Sequence, residues 1–250
     1  MEPFLRKLRL PKKGSHKGEN GKLLVVGGGR EYHGAPFFSI SAAKRFCDLV
    51  YFMPGSPAPN VLHSIRNTPE AIISSDFPEA DCALYGPGLG SSKFLFSKVR
   101  ERYEKIVIDG DGLRKIRRNS LEGCILTPHE KEFEDLSGAP ATPKEVKRFA
   151  RENSCTILKK GNVDFITDGI KMIKNRKGNA GMTKGGTGDV LSGLTAALFC
   201  TNPPLVAAAS AAFLTGYAGD LLFKKQKYAY CASDLAEALP LAFKKTLEKH

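Results

Sequence analysis

Between Gly178 and Gly193 the chain reads Gly-Asn-Ala-Gly-Met-Thr-Lys-Gly-Gly-Thr-Gly-Asp-Val-Leu-Ser-Gly, six glycines with a single acid, Asp189. Val190, Leu194, Ala197 and Leu198 follow at helical spacing. A glycine-rich loop therefore opens into a helix. The first amides of a helix have no intrahelical acceptor and its dipole is positive there, so the junction suits an anion such as phosphate. Asp189 falls in the first turn. A carboxylate beside a phosphate cradle repels the ligand, and orienting a hydroxyl that attacks phosphorus gives it a chemical reason to be there. The dipole is expected to keep Asp189 ionised, a weak base whose main value is orientation. A plain glycine turn and a first-turn acid that stabilises a core helix fit the same local pattern.

Other polar residues stand at the ends of apolar segments. His129 follows Pro128; Asp109 and Asp111 follow Ile106–Ile108; Lys160 and Gly161 follow Thr156–Leu158; Tyr32 lies in a loop after Gly27-Gly28-Gly29. The aspartates are able to bind Mg²⁺ through water or a substrate directly, Lys160 to meet phosphates, and Tyr32 to stack on a heterocycle. Helix-entry, turn and surface roles explain the same residues without a ligand. The Walker pattern is absent, and Tyr32 occupies the place of the last glycine in a dinucleotide fingerprint.

The elements that would position these residues alternate. Strands are expected at 23–26, 49–53, 83–85, 106–108, 125–126 and 156–158, and helices at 35–47, 91–103, through Leu136, 143–153, 188–200, 204–223 and 231–247. Four of the strands end in glycine- or acid-rich loops, which a parallel sheet collects on its carboxyl rim. Residues 164–167 and 170–173 flank Asp168-Gly169, which predicts a two-residue hairpin and an antiparallel edge. The fold class is α/β, a mostly parallel sheet in one domain over 1–250, with residues 1–22 as a basic arm.

Composition narrows the function. At 250 residues and 42% hydrophobic the chain can bury a full core. No apolar run is read as a membrane span, and the basic start lacks a signal peptide's apolar segment, so a cytoplasmic protein is expected. The six cysteines are scattered without a C-x-x-C and are expected to be buried, reduced thiols. A formal charge of +12 favours anions, but the basic clusters lack interleaved aromatics, so no nucleic-acid partner is expected.

Lys17-Gly18, Tyr32-His-Gly-Ala-Pro36, Gly86-Pro-Gly-Leu-Gly90, Asp109-Gly-Asp-Gly-Leu113, Leu126-Thr-Pro-His129, Lys160-Gly161, Gly178-Asn-Ala-Gly-Met182, Gly186-Thr-Gly-Asp-Val-Leu191 and Ser233-Asp-Leu235 occur in this order. Together they resemble the NAD(P)H-hydrate dehydratases, ribokinase-like proteins often fused to an epimerase. The resemblance covers residues 16–240 and implies a three-layer α/β/α fold. It also implies repair of a nicotinamide cofactor hydrated at C6: ADP or ATP, with Mg²⁺, phosphorylates the ring hydroxyl, and phosphate then leaves. On this reading Asp189 is catalytic. Ala35, Gly88, Gly90, His129 and Asp189 bind the hydrated dinucleotide, and Lys160, Gly161, Asn162, Val163, Asp164, Gly186, Thr187 and Gly188 bind the nucleotide. ADP is the favoured donor, a homotetramer the expected assembly, and a separate epimerase the expected partner. Glu130-Lys131 replaces the family's Pro-Gly, and His33 replaces a serine. A kinase for a vitamin-precursor alcohol is the alternative.

Overall fold

The computed structural model describes residues 3–56 and 59–248. Its strands are β1 (Lys22–Gly27), β2 (Leu49–Pro54), β3 (Ala71–Ile73), β4 (Cys82–Tyr85), β5 (Ile106–Ile108), β6 (Ile125–Leu126), β7 (Thr156–Lys159), β8 (Asp164–Thr167) and β9 (Met172–Asn175). The α-helices are α1 (Gly34–Ala43), α2 (Pro59–Arg66), α3 (Phe96–Arg100), α4 (Glu130–Ser137), α5 (Pro143–Glu152), α6 (Thr187–Thr201), α7 (Pro204–Gln226) and α8 (Ala232–Leu247).

The strands form one sheet in the order β3-β2-β1-β4-β5-β6-β7-β8-β9. Every neighbouring pair from β3 through β7 is parallel, and β8 and β9 add the antiparallel edge. Alternation along β1 sends Leu23 and Val25 into one core, with Ile40, Val190, Leu194, Ala208 and Leu235, and Leu24 and Val26 into the other, with Val99, Phe133 and Val146. Helices α1, α6, α7 and α8 thus cover one face and α3, α4 and α5 the other, the expected three layers. Fully buried side chains such as Leu194 and Phe133 each contribute about 1.5–3 kcal/mol by leaving water. Connections diverge on either side of the central β1, whose neighbours are β2 and β4, and such a switch point opens a crevice at the carboxyl ends of the strands.

Several local expectations are corrected. The 91–103 helix is only α3, because Ser92 and Phe94 form an anchored loop: Ser92 Oγ donates to the Gly55 carbonyl and Tyr85 OH to the Phe94 carbonyl at 2.7 Å. The hairpin loop has four residues, since Thr167 pairs with Met172; Asp168 Oδ1 accepts from the amides of Ile170 (2.9 Å) and Lys171 (2.7 Å) and closes the longer turn. Helix α2 and edge strand β3 add to the expected elements; α2 buries Val61 and Ile65, one turn apart, and β3 leaves Ile72 and Ile73 exposed. Helix α7, 23 residues with a window of mean hydropathy 1.4, is long and apolar enough to span a membrane. That window is 67% buried inside the protein, where α7 packs on α6, α8 and β7, so α7 is a core helix here. Cys82, Cys124, Cys155 and Cys200 are buried free thiols as expected; Cys47 is partly exposed, and Cys231 is exposed because it caps α8.

The basic arm is pinned at both ends: the Arg9 amide donates to Asn202 Oδ1 (2.8 Å), and the amides of Gly18 and Asn20 donate to Asp48 Oδ2. Arg9, Lys12, Lys13, Asp81, Lys105 and Asn202 line a depression of about 730 Å³ beneath it. Asp81 and Lys105 immediately precede β4 and β5, which puts this depression at the amino end of the sheet, opposite the rim that holds Asp189.

Candidate active site

The start of α6 packs against Phe38 of α1 and the loop that follows β9. Gly186, at φ 92°, is its N-cap, and its α-carbon lies so near the Phe38 ring that a β-carbon would come within 2.6 Å of it. Thr187 Oγ1 donates to the carbonyls of Met182 (2.6 Å) and Lys184 (2.9 Å), tying the preceding loop to the first turn. That loop is braced in turn: Tyr230 OH donates to Asn179 Oδ1 at 2.7 Å, and Lys184 Nζ to the carbonyls of Tyr228 and Tyr230, each at 2.6 Å. Tyr230→Phe removes one of these bonds, and we expect a loss of about 1 kcal/mol, read as a lower thermal midpoint.

Thr187 N–H bonds back to Lys184, and Val190 N–H is the first to reach Gly186. Among the described residues the amides of Gly188 and Asp189 meet no carbonyl, so two donors face the rim at the positive end of a 15-residue helix. The Asp189 carboxylate likewise has no hydrogen-bond partner among the described residues. Burial, and then the charge on Asp109, push its pKa up to about 7 against the pull of Lys160; Asp111 and Glu132 add to the rise. The expectation of a dipole-stabilised weak base is thereby corrected. Desolvation and like charge outweigh the dipole and leave a base poised near neutrality.

Lys160 stands beside Gly188, its Nζ 3.6 Å from the position a β-carbon there would take. The same Nζ donates to Asp109 Oδ1 at 2.9 Å and lies 3.9 Å from Glu132 Oε2. Burial opposes the charge on Lys160, but Asp109 and Glu132 outweigh it and hold the ammonium above its ordinary pKa. Gly161 and Asn162 beyond it are exposed, and Val163 is partly so. Asp164 differs from them. Its Oδ1 accepts from the Gly161 amide (3.0 Å) and its Oδ2 from Asn175 Nδ2 (2.9 Å), so its carboxylate shapes the turn that presents Lys160 to Val163.

On the other flank Gly88 abuts Ala35 and Tyr32, and Gly90 packs on the Tyr32 ring, which is 54% exposed. The Gly90 amide donates to Asp111 Oδ2 at 2.7 Å, linking this wall to the carboxylates around Asp189. His33 instead turns toward Asn60 of α2, 3.5 Å away. His129 is the N-cap of α4: its Nδ1 accepts from the Glu132 amide (3.2 Å), and Glu132 Oε2 accepts from the His129 amide (2.8 Å). Its ring stays half exposed at the rim. Glu130 and Lys131, in place of the family's Pro-Gly, simply begin α4, and Lys131 pairs with Asp135 at 3.3 Å. The structure thus gathers Ala35, Gly88, Gly90, His129, Lys160, Gly186, Thr187, Gly188 and Asp189 on one rim. Glu132, Tyr230 and Asn179 were not singled out as site residues. Only the His-x-x-Glu spacing of a capping box pointed to Glu132, and histidine is an unusual cap.

A family model for NAD(P)H-hydrate dehydratase matches residues 23–241. The chain belongs to this family. It is 37% identical to the ADP-dependent (S)-NAD(P)H-hydrate dehydratase of Cenarchaeum symbiosum, over 92% of this chain and 91% of that one. It is 36% identical to the bifunctional NAD(P)H-hydrate repair enzyme of Methanocaldococcus jannaschii, over 96% of this chain and 51% of that one. It therefore spans about half the length of the bifunctional dehydratase relatives it matches. The crystal structure of the ADP/ATP-dependent NAD(P)H-hydrate dehydratase from Bacillus subtilis, co-crystallised with ATP/Mg²⁺, has the same ribokinase-like fold, with a TM-score of 0.85, 24% identity, and coverage of 98% of this chain and 96% of that one.

Proposed function

We propose that the chain converts (6S)-NAD(P)H hydrate to NAD(P)H, consuming ADP or ATP and releasing phosphate with AMP or ADP. The observation that carries this reading is the Asp189 carboxylate, unpartnered among the described residues, with the similarly unpartnered amides of Gly188 and Asp189 and the Lys160 ammonium beside Gly188, in a chain of the dehydratase family.

The hydrated ring bears its hydroxyl on C6, a poor leaving group. In the proposed site Ala35, Gly88, Gly90 and His129 line the dinucleotide pocket, and residues 160–164 with 186–188 hold the donor. Asp189 accepts the hydroxyl proton as the oxygen attacks the terminal phosphorus, and the Gly188 and Asp189 amides with Lys160 offset the charge on the transferred group. The ring nitrogen lone pair then breaks the C6–O bond and expels phosphate, and loss of a C5 proton restores the double bond. Among the described residues no group of three or more His, Cys, Asp or Glu is placed to hold a metal, and Asp109, Asp111 and Glu132 are each already engaged by the chain. They form no cage for Mg²⁺, so the ion is read as arriving on the nucleotide phosphates, and no step is assigned to it.

ADP is the proposed donor, in keeping with the relative named ADP-dependent. The same reading places the protein in the cytoplasm as a homo-oligomer, expected to be a tetramer, with epimerisation supplied by a separate activity. The test is recovery of dihydronicotinamide absorbance from (6S)-NADH and (6S)-NADPH hydrates with Mg²⁺ and either nucleotide. Faster recovery with ADP is expected. No recovery with either donor overturns the reading, and stable phosphorylation of a hydroxymethylpyrimidine or hydroxyethylthiazole would select the kinase alternative.

A further inference from the structure

We propose that Asp109 is a positioning residue: it holds the Lys160 ammonium beside Gly188 at the start of α6, where the phosphoryl group is bound. The proposal rests on the reading of that site as phosphoryl-binding. The charge on Asp109 also helps to raise the Asp189 pKa, an effect separate from the placement of Lys160.

The geometry is specific. Asp109 closes β5 and is buried; its amide donates to the Tyr85 carbonyl, and its backbone packs directly beneath Gly86. Its Oδ1 accepts from Thr127 Oγ1 (2.7 Å) and from Lys160 Nζ (2.9 Å). Thr127 follows β6 and Lys160 follows β7, so one oxygen joins three adjacent strand ends. The Lys160 amide also donates to the Pro128 carbonyl at 2.8 Å, which fixes the root of the side chain while Asp109 fixes its tip. Glu132 is the weaker hold: it lies 3.9 Å from Nζ, and its Oε2 already caps α4.

A lysine reaches phosphate as a flexible point charge on four methylenes, and a free side chain spreads over many rotamers. Clamped at both ends, Lys160 keeps one position, beside Gly188 at the start of α6. The clamp is not a simple stabilising pair, because Asp109 weakens the net positive charge offered to phosphate. Removing it leaves phosphate attraction intact and loses placement, and misplacement by about 1 Å can cost 10²-fold in rate. Asp109→Asn keeps the shape and the Thr127 bond and removes the charge.

The test is a mutant cycle with Asp109→Asn, Lys160→Met and the double variant, read in turnover and in ADP binding. Asp109→Asn is expected to lower kcat by about 10–100-fold while ADP affinity is retained, and the double variant to fall no further than Lys160→Met alone. Additive losses, or a fall in ADP affinity that matches the fall in kcat, overturn the proposal. A readout that needs no substrate comes from acetylation of Lys160 by acetic anhydride, followed by peptide mass spectrometry. ADP should protect Lys160 in the wild-type protein, and Asp109→Asn should label faster. Unchanged labelling in the variant removes the clamp, and absence of protection by ADP removes the phosphate placement, whatever the phosphoryl acceptor proves to be. Thr127→Val, which deletes the hydroxyl shared between Asp109 Oδ1 and, more weakly, the Ile108 carbonyl, should shift labelling in the same direction to a smaller extent, and serves if Asp109→Asn folds poorly.

Discussion

Asp189→Asn is expected to lose turnover by about 10³-fold or more while still binding ADP, because the substitution keeps the shape and the helix amides and removes the proton acceptor. Near-normal turnover, measured as recovery of dihydronicotinamide absorbance, would contradict the assigned role. The pH dependence follows from the same environment. With a pKa of about 7, the carboxylate of the free enzyme is only half ionised at neutrality, so kcat/KM should climb through an acid limb centred near pH 7. The stability effect has the opposite sense. In the unfolded chain Asp189 ionises near 3.8, so the folded state holds its proton more tightly. Ionisation therefore opposes folding, with no effect below about pH 4 and the full effect above about pH 7, on the order of 1–4 kcal/mol. Asp189→Asn should accordingly melt higher than the wild type at pH 8, and the gain should vanish as the pH falls toward 4.

Gly86→Ala is expected to be the most damaging single-methyl change in the rim. Gly86 has φ 125°, a backbone region that strains any side-chain-bearing residue, and its β-carbon would overlap the Asp109 carbonyl oxygen and approach the Gly112 amide within 2.8 Å. These neighbours are backbone, so relief requires the loops after β4 and β5 to part. The strain and the overlap together should cost at least about 3 kcal/mol, or about 6–12 °C in thermal midpoint for a chain of this size. Parting those loops also displaces Asp109, so turnover should fall in the fraction that remains folded. An unchanged midpoint and rate would mean that the two loops are not in the contact described.

Much of this was legible in the sequence. The glycine loop and the helical period after it located the start of α6 to one residue, because glycine and periodic apolar residues report local backbone directly. The parallel strands were equally plain, as short runs of fully buried β-branched and leucine residues. Edge strand β3 was not, since a three-residue strand half open to solvent has no alternation to read, and α2 buries only Val61 and Ile65 over its two turns. The sequence points to Asp189 but not to the environment that sets its chemistry. The helix dipole is visible in a sequence, whereas Asp109, Asp111 and Glu132 reach Asp189 only through the sheet, from positions 57 to 80 residues away in the chain. Glu132 was hidden for the same reason, and the bond from Tyr230 to Asn179 spans 51 residues.

The proposed reaction turns on phosphate serving as a transient leaving group on the nicotinamide ring. Its most direct test is the stoichiometry of phosphate released to NADPH regained when the wild-type chain acts on (6S)-NADPH hydrate with ADP and Mg²⁺. One phosphate for each NADPH, appearing together and with no lasting phosphorylated dinucleotide, is the predicted result. A phosphorylated product that accumulates without recovery of the dihydronicotinamide, or phosphate released without it, would contradict the account.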